Sequence, residues 1–268
     1  MTTVSILTTV RNGEAFIRDA LLSAMRQDFA AVEHIVVNDG SEDSTASVVD
    51  VVSQAHPAAG IRLMETKRRG RGAALQFGVA QCRGDWIGIL DADDIWHPKK
   101  LRRQMDVIGH NANIDMIGTE TALFGPSVVD TGEPGMGGVR RITVKELLKH
   151  NPVAHSSVLI RRQLCRYDMR RKSQLDYELW LRLATEGRAI CLLQEKLTYH
   201  RIHAGQHFER LQGKSYVWRS VALQGKYGWK HGSPVAFVYI MARLIYHMIL
   251  PRALRMRWRP GHKTQSPG

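Results

Sequence analysis

Over the first 110 residues, short apolar, β-branched runs alternate with longer stretches in which apolar positions recur every three or four residues. Residues 4–10, 33–37, 61–64 and 86–90 read as strands, and residues 14–26, 43–55, 72–81 and 98–109 as the helices that follow them. Strand and helix repeating in this way cover a parallel sheet on both faces, so the expected class is α/β, a mostly parallel sheet flanked by helices. Ligands of such sheets bind at the carboxyl ends of the strands. The residues standing there are Asn12-Gly13, Asn38-Asp39-Gly40-Ser41 and Asp91-Ala92-Asp93-Asp94.

Beyond residue 110 the pattern loosens. Residues 125–138 hold five glycines and two prolines, the composition of a long surface loop of the lid or binding type. Thr143-Val144-Lys145-Glu146 has the spacing of a capping box and predicts a short helix through Leu147 and Leu148. A strand is expected at 157–160, a helix over about 175–186 that buries Leu179, Trp180 and Leu183, and separate strands near Ile190 and Leu197. No internal repeat is present.

Asp91-Ala92-Asp93-Asp94 puts three carboxylates where a buried strand emerges, and charges so close repel unless a cation or several donors neutralise them. A hard divalent ion with oxygen ligands, Mg²⁺ or Mn²⁺, would do so, keeping one or two protein carboxylates while bridging substrate phosphates. An acidic turn in which Asp94 caps the next helix is the alternative, and the motif alone leaves both open. At the end of the second strand, Gly40 suits a turn and Ser44 or Thr45 a helix N-cap. Asp39 accepts hydrogen bonds only, so at a strand end it could take the ring N–H of a uracil.

Composition adds a boundary. Of 38 Lys and Arg, eleven follow Glu209, the last acidic residue; removing them leaves 27 bases against 25 acids, so the formal +13 belongs to a tail behind a near-neutral body. Within that tail, fourteen of the sixteen residues 235–250 are apolar or tyrosine, too few for a spanning helix, and residues 252–259 mix arginines with Leu254, Met256 and Trp258. An interfacial anchor on anionic lipid and a helix packed on the body or on a second subunit both fit. Nucleic acid does not, since no recognition motif accompanies the charge. Cys82, Cys165 and Cys191 are scattered and odd in number, which points away from a disulfide framework or zinc site and towards a reducing compartment. The N-terminus enters a strand within three residues and has no signal-peptide pattern, so the body is expected in the cytoplasm, peripheral on the inner membrane face if the tail is an anchor.

Four segments occur in an order and at intervals that resemble glycosyltransferase family 2: Ser5-Ile-Leu-Thr-Thr-Val-Arg-Asn12, Val37-Asn-Asp-Gly-Ser41, Gly84-Asp-Trp-Ile-Gly-Ile-Leu-Asp-Ala-Asp-Asp-Ile-Trp-His-Pro98 and Leu175-Asp-Tyr-Glu-Leu-Trp-Leu-Arg182. The resemblance covers residues 3–105 and 150–205 and implies a GT-A fold over residues 1–209, with a donor half to about 110 and an acceptor half from about 111, followed by a basic helical extension over 210–268. It implies a nucleotide-diphosphate sugar donor, a UDP-sugar, with Thr9 and Asn12 at the first strand end, Thr9 contacting the base, Asp39 reading uracil and Arg71 set against the nucleotide. Asp93 becomes the direct ligand of Mn²⁺ or Mg²⁺, Asp91 the ribose neighbour within the same D-x-D, and His203, in Tyr199-His-Arg-Ile-His203, a further metal ligand. Asp176 matches the general base of a single inverting displacement onto a hydroxyl of a saccharide or lipid-linked saccharide, while Glu178 is expected in solvent. His155 falls in the region that lines the acceptor site, as a sugar contact or as loop polarity. Departures are Asn38 for the first aspartate of D-D-G-S, Leu75-Gln76 for Arg-Asn, with Arg69 or Arg71 available to compensate, and Leu175 for a glutamate. A nucleotidyltransferase, a sugar-nucleotide hydrolase and a non-catalytic nucleotide-sugar or membrane-binding module are the competing readings.

Overall fold

Four consecutive apolar runs become the parallel strands β1 (Val4–Val10), β2 (Glu33–Asp39), β3 (Ile61–Thr66) and β4 (Trp86–Ile89) of the computed structural model, which describes residues 2–125, 132–203 and 214–231. Helices α1 (Ile17–Met25), α2 (Thr45–Ala55) and α3 (Arg71–Gln81) connect them. Their order in the sheet is β3-β2-β1-β4, so the chain steps outward from β1 to β3 and then crosses back to the other side of β1. That reversal opens a crevice at the carboxyl ends of β1 and β4, where Asn12 and Asp91 emerge.

The sheet continues as β8-β6-β9-β5, with β7 also paired to β9, through β5 (Ile95–Trp96), β6 (Met116–Phe124), β7 (Val139–Ile142), β8 (Leu159–Arg161) and β9 (Ile190–Arg201). Here parallel and antiparallel pairs mix: β8 runs against β4 and β6, and β9 runs with β6 but against β5 and β7. Helices α4 (Lys100–His110), α5 (Val144–Leu147) and α6 (Leu175–Thr185) complete this unit, and Thr143 caps α5 by accepting from the Glu146 amide at 3.2 Å. The chain divides into two compact units, residues 1–206 and 207–268; the second contributes α7 (Lys214–Lys230). Part of the glycine-rich loop, residues 126–131, and the apolar and basic stretches 235–250 and 252–259 lie outside the described residues. No helix among the described residues is long and apolar enough to cross a membrane.

Two strands expected near Ile190 and Leu197 are one. Gln194-Glu195-Lys196 looks like a polar interruption, yet Glu195 turns inward to Arg103, whose Nη2 and Nε lie 2.8 and 3.0 Å from its carboxylate, and the strand runs on past a register shift against β6. β6 itself is hidden in sequence by Thr119-Glu120-Thr121; the Thr119 hydroxyl is buried against that of Thr198 at 2.9 Å, so a polar residue occupies a core-facing position at no hydrogen-bonding cost. At the start of α2 the N-cap chemistry comes from Asp43, which accepts from the Thr45 amide at 3.1 Å and from its hydroxyl; Ser44 makes no side-chain cap.

One buried acid ties the edge of this sheet together. Glu33, 1% exposed, accepts from Ser5 Oγ (2.7 Å), the Arg83 amide (2.6 Å) and the guanidinium groups of Arg62 (2.9 Å) and Arg83 (3.1 Å). Burial alone would push its carboxyl up, but the Ser5, Arg83 and Arg62 donors outweigh it and hold the group below the usual range. Stability from such a group is full above the unfolded-state value near 4.3 and is lost as pH falls through the folded one. Glu33→Gln is therefore expected to cost on the order of 2 kcal/mol at pH 7 and progressively less below about pH 4, read by urea unfolding at both pH values.

Candidate active site

The crevice is built around a single guanidinium. Arg71 opens α3 and places Nη2 2.7 Å from Asp91 Oδ1, just beyond the buried end of β4. Partial burial raises the Asp91 carboxyl, yet Arg71 and His155 more than offset it and hold Asp91 well below the usual carboxylate range. Arg71 is in turn raised, by Asp91 first and then by the charges of Asp176 and Asp93, so the acidic turn and the start of α6 both act on one cation. His155 is buried and lies 3.1 Å from Asp91 Oδ1 through Nδ1 and 2.8 Å from the Tyr167 hydroxyl through Nε2. Arg71 Nη2 also lies 3.2 Å from His155 Nδ1, so the ring packs against both members of the Arg71–Asp91 pair. Ser156 Oγ accepts from the Asp91 amide at 3.0 Å.

The end of β9 approaches the same acidic turn. His203 Nε2 stands 3.1 Å from Asp93 Oδ2, and its ring lies 4.4 Å from that of Phe16. Arg201 donates from Nε to the Asp93 carbonyl (3.1 Å) and from Nη2 to Asp19 (2.8 Å), with its guanidinium over the rings of Phe124 and Phe16. Asp94 is 1% exposed and pairs with His200 Nδ1 at 2.9 Å. Hydrogen bonding to Asp94 pushes His200 up to about 9 against its own partial burial, so this pair holds a proton at neutral pH. The capping alternative for Asp94 fails, because α4 begins six residues later at Lys100.

Asp39, at the end of β2, is buried and already accepts from Thr66 Oγ1 (3.1 Å) and the Arg69 amide (2.7 Å) on Oδ1 and from the Gly70 amide (2.9 Å) on Oδ2. A carboxylate offers about four acceptor positions, so one remains, on Oδ2. Gly70 reaches this geometry with φ +88°, open to glycine and costly for other residues. Thr9 is half-buried at the end of β1. Asn12 adopts φ +53° and stitches the first two strand ends together: its amide donates to Ser41 Oγ and its Oδ1 accepts from the Glu42 amide, each at 2.9 Å.

Asp176 sits in the first turn of α6, half-buried, and accepts from Asn151 Nδ2 at 2.9 Å. The α6 and α3 starts meet at Gly72, where a Cβ would press on Leu175 Cδ2 at 3.0 Å and on the carbonyls of Asp168 and Arg171 at 3.2 and 3.3 Å. Glu178, expected in solvent, is 5% exposed, with Arg182 one turn on at 3.6 Å.

The sequence profile of Glycosyl transferase family 2 matches residues 5–168, more than half of the chain. This chain belongs to glycosyl transferase family 2. Among curated relatives of this family 2 member is an uncharacterized glycosyltransferase of Rickettsia prowazekii, 27% identical over 216 residues, 76% of this chain and 65% of that one. The chain thus spans less than two thirds of the length of the first curated relatives it matches. Its fold is that of residues 1–349 of S. aureus TarS in complex with UDP-GlcNAc (TM-score 0.71, 16% identity, 96% of this chain and 78% of that one). It is also that of the Pyrobaculum calidifontis mannosyltransferase PcManGT in complex with GDP-Man and Mn²⁺ (TM-score 0.65, 18% identity, 95% and 78%). The α/β sheet with its flanking helices is accordingly a GT-A fold.

Whether this family 2 site suits a divalent cation turns on its donor chemistry. Asp93 and His203 present an oxygen and an imidazole nitrogen 3.1 Å apart, and their side chains are 30% and 20% exposed, so they face the crevice rather than the core. Among the described residues no three His, Cys, Asp or Glu form a cage. Mg²⁺ and Mn²⁺ sites of nucleotide enzymes need none, since waters and phosphate oxygens fill the remaining positions. Asp93 and His203 therefore fit such an ion, while Asp91 has one oxygen committed to Arg71 and His155.

Three departures from the family pattern acquire reasons. Gln76 accepts from the Tyr167 amide at 2.8 Å, fixing the residue that orients His155, and Leu175 is the buried contact over Gly72. Asn38 keeps the turn by accepting from the Ser41 amide at 3.1 Å and its hydroxyl at 2.5 Å. Tyr167, Ser156, His200 and Arg201 are site residues that the sequence does not single out; Arg201 and His200 lie inside the quoted Tyr199–His203 segment, Tyr167 and Ser156 carry no local signal, and Gln76 stands out only as a departure from Arg-Asn.

Proposed function

We propose that this chain is a divalent-cation-dependent inverting glycosyltransferase, moving a sugar from a UDP-sugar to a hydroxyl of a saccharide or lipid-linked saccharide in cell-surface glycan assembly. The observation that carries this reading is the Arg71–Asp91 pair at the carboxyl end of β4, with His155 on Asp91 and His203 beside Asp93. Held ionised by Arg71 and His155, Asp91 accepts donor hydroxyls. Asp39, fixed at the end of β2, retains one acceptor position for a pyrimidine N–H, and Thr9 and Asn12 border the same base site. Asp93 and His203 would hold Mn²⁺ or Mg²⁺, which when bound neutralises charge on the diphosphate. Asp176, steadied by Asn151, takes the proton of the attacking hydroxyl. Asp39 also argues for uracil over guanine, although the structural neighbours carry UDP-GlcNAc in one case and GDP-Man in the other. The body would work at the cytoplasmic face of a membrane, reached through the basic tail.

A thermal-shift panel of nucleotide sugars, each with and without Mn²⁺, tests the donor assignment, because a ligand raises the melting temperature in step with its affinity. UDP-sugars are expected to stabilise the protein only with Mn²⁺ present. Equal stabilisation by GDP-sugars would remove the role given to Asp39, and shifts indifferent to the metal would remove that given to Asp93 and His203.

A further inference from the structure

The helix of the second unit carries a surface the glycosyl-transfer chemistry does not use. At 100° per residue, the exposed positions of α7 fall on one arc of about 120°. Trp218, Trp229 and Ala222 line one flank of that arc, and Lys226, Arg219 and Lys230 the other. Trp218 is 51% and Trp229 91% exposed, and eleven residues of helix set them about 16 Å apart along one line. Val221, Leu223 and Tyr227 of the same helix are buried, so α7 has apolar residues to spare for packing and still presents both indoles to the outside.

Two solvent-facing tryptophans beside a row of cations have a specific chemistry. Indole is an amphipathic ring that settles at the headgroup level of a bilayer, with its apolar body inward and its N–H in the polar layer. Lysine and arginine alongside meet the phosphates of anionic lipids while their aliphatic stems lie on the apolar boundary. Glu209 is the one acidic residue of this unit and precedes α7, while eleven Lys and Arg follow it, so the unit as a whole is drawn to a negative surface. A second copy of the chain would set this cationic face against its own charge. We infer that the Trp218/Trp229 face of α7 docks on an anionic lipid surface, with Lys226 and Lys230 as its electrostatic row. This deepens the membrane part of the reading above and moves it to an element the tail composition did not mark; donor chemistry is independent of it.

Flotation of the full chain with phosphatidylcholine vesicles, with and without phosphatidylglycerol, tests the inference. Binding is expected only with phosphatidylglycerol and should weaken with salt. Lys226→Gln/Lys230→Gln should weaken it about thirtyfold, as two surface cations at roughly five- to sixfold apiece imply. Trp218→Ser/Trp229→Ser should weaken it roughly a hundredfold through lost apolar insertion. Both variants should keep the wild-type donor-induced melting shift. Absence of wild-type binding would overturn the α7 assignment together with the membrane reading of the tail. Wild-type binding retained by both variants would overturn α7 alone and leave residues 235–259 as the anchor. A concentration-dependent dimer in light scattering, abolished in the tryptophan variant while lipid binding persists, would assign the face to a second copy instead.

Discussion

Asp176→Asn is expected to leave Mn²⁺-dependent donor binding intact and to lower transfer about 10²- to 10⁴-fold, the range spanned by a positioned general base. Asparagine preserves the shape of the side chain and its contact with Asn151, whose Nδ2 can donate to the new amide oxygen while its Oδ1 keeps the Val153 amide, so α6 should keep its start. What disappears is the only function the amide cannot supply, acceptance of the proton from the attacking hydroxyl. The measurement is kcat and donor KM side by side: a fall in kcat with unchanged KM marks a group that acts in the transition state. Unchanged kcat would remove Asp176 as the base and turn attention to other acceptors facing Arg71.

Asp93→Ala is expected to act earlier in the reaction. It removes the carboxylate partner of His203 and, with it, the oxygen ligand offered to the cation. Charge stabilisation of a departing diphosphate by a metal is worth several kcal/mol, so kcat/KM should fall roughly 10³-fold, and the Mn²⁺-dependent component of donor stabilisation should vanish. The fold should survive, because Asp93 is partly exposed and the turn is also held through its main-chain carbonyl by Arg201 and by the Asp94–His200 pair. A variant that still shows the full Mn²⁺-dependent shift would place the ion elsewhere.

The donor half of the molecule is legible from its residues because β1, β2 and β4 are buried on both faces and are centred on apolar runs, each strand being followed by a helix with three- to four-residue periodicity, while the edge strand β3 is half-buried. The motif residues lie at the ends of these runs, which is why Asp39, Asp91 and Asp93 stand out without coordinates. The second half hides its strands for identifiable reasons. β5 spans two residues and β7 four, too few for an alternation to register, and Thr119 and Glu195 place polar side chains inward where local partners satisfy them. His155 and Tyr167 are joined by a tertiary hydrogen bond, and no spacing rule links either of them to Asp91. Glu178 reads as a surface acid only until α6 is packed, when Arg182 follows it inward.

Strand β9 has a practical consequence for anyone cutting this chain. Its first residues pair with β6 and β7, and its last deliver Arg201, with His203 just beyond, to the acidic turn. Both it and Asp176 lie past residue 168, where the match to the family profile stops. A fragment trimmed to that boundary would keep every donor-side motif and be recognised as family 2, yet it would lack the proposed base, a metal ligand and the arginine that props up the Asp93 carbonyl. Recognition of the family and possession of a complete site therefore end at different residues of the same chain.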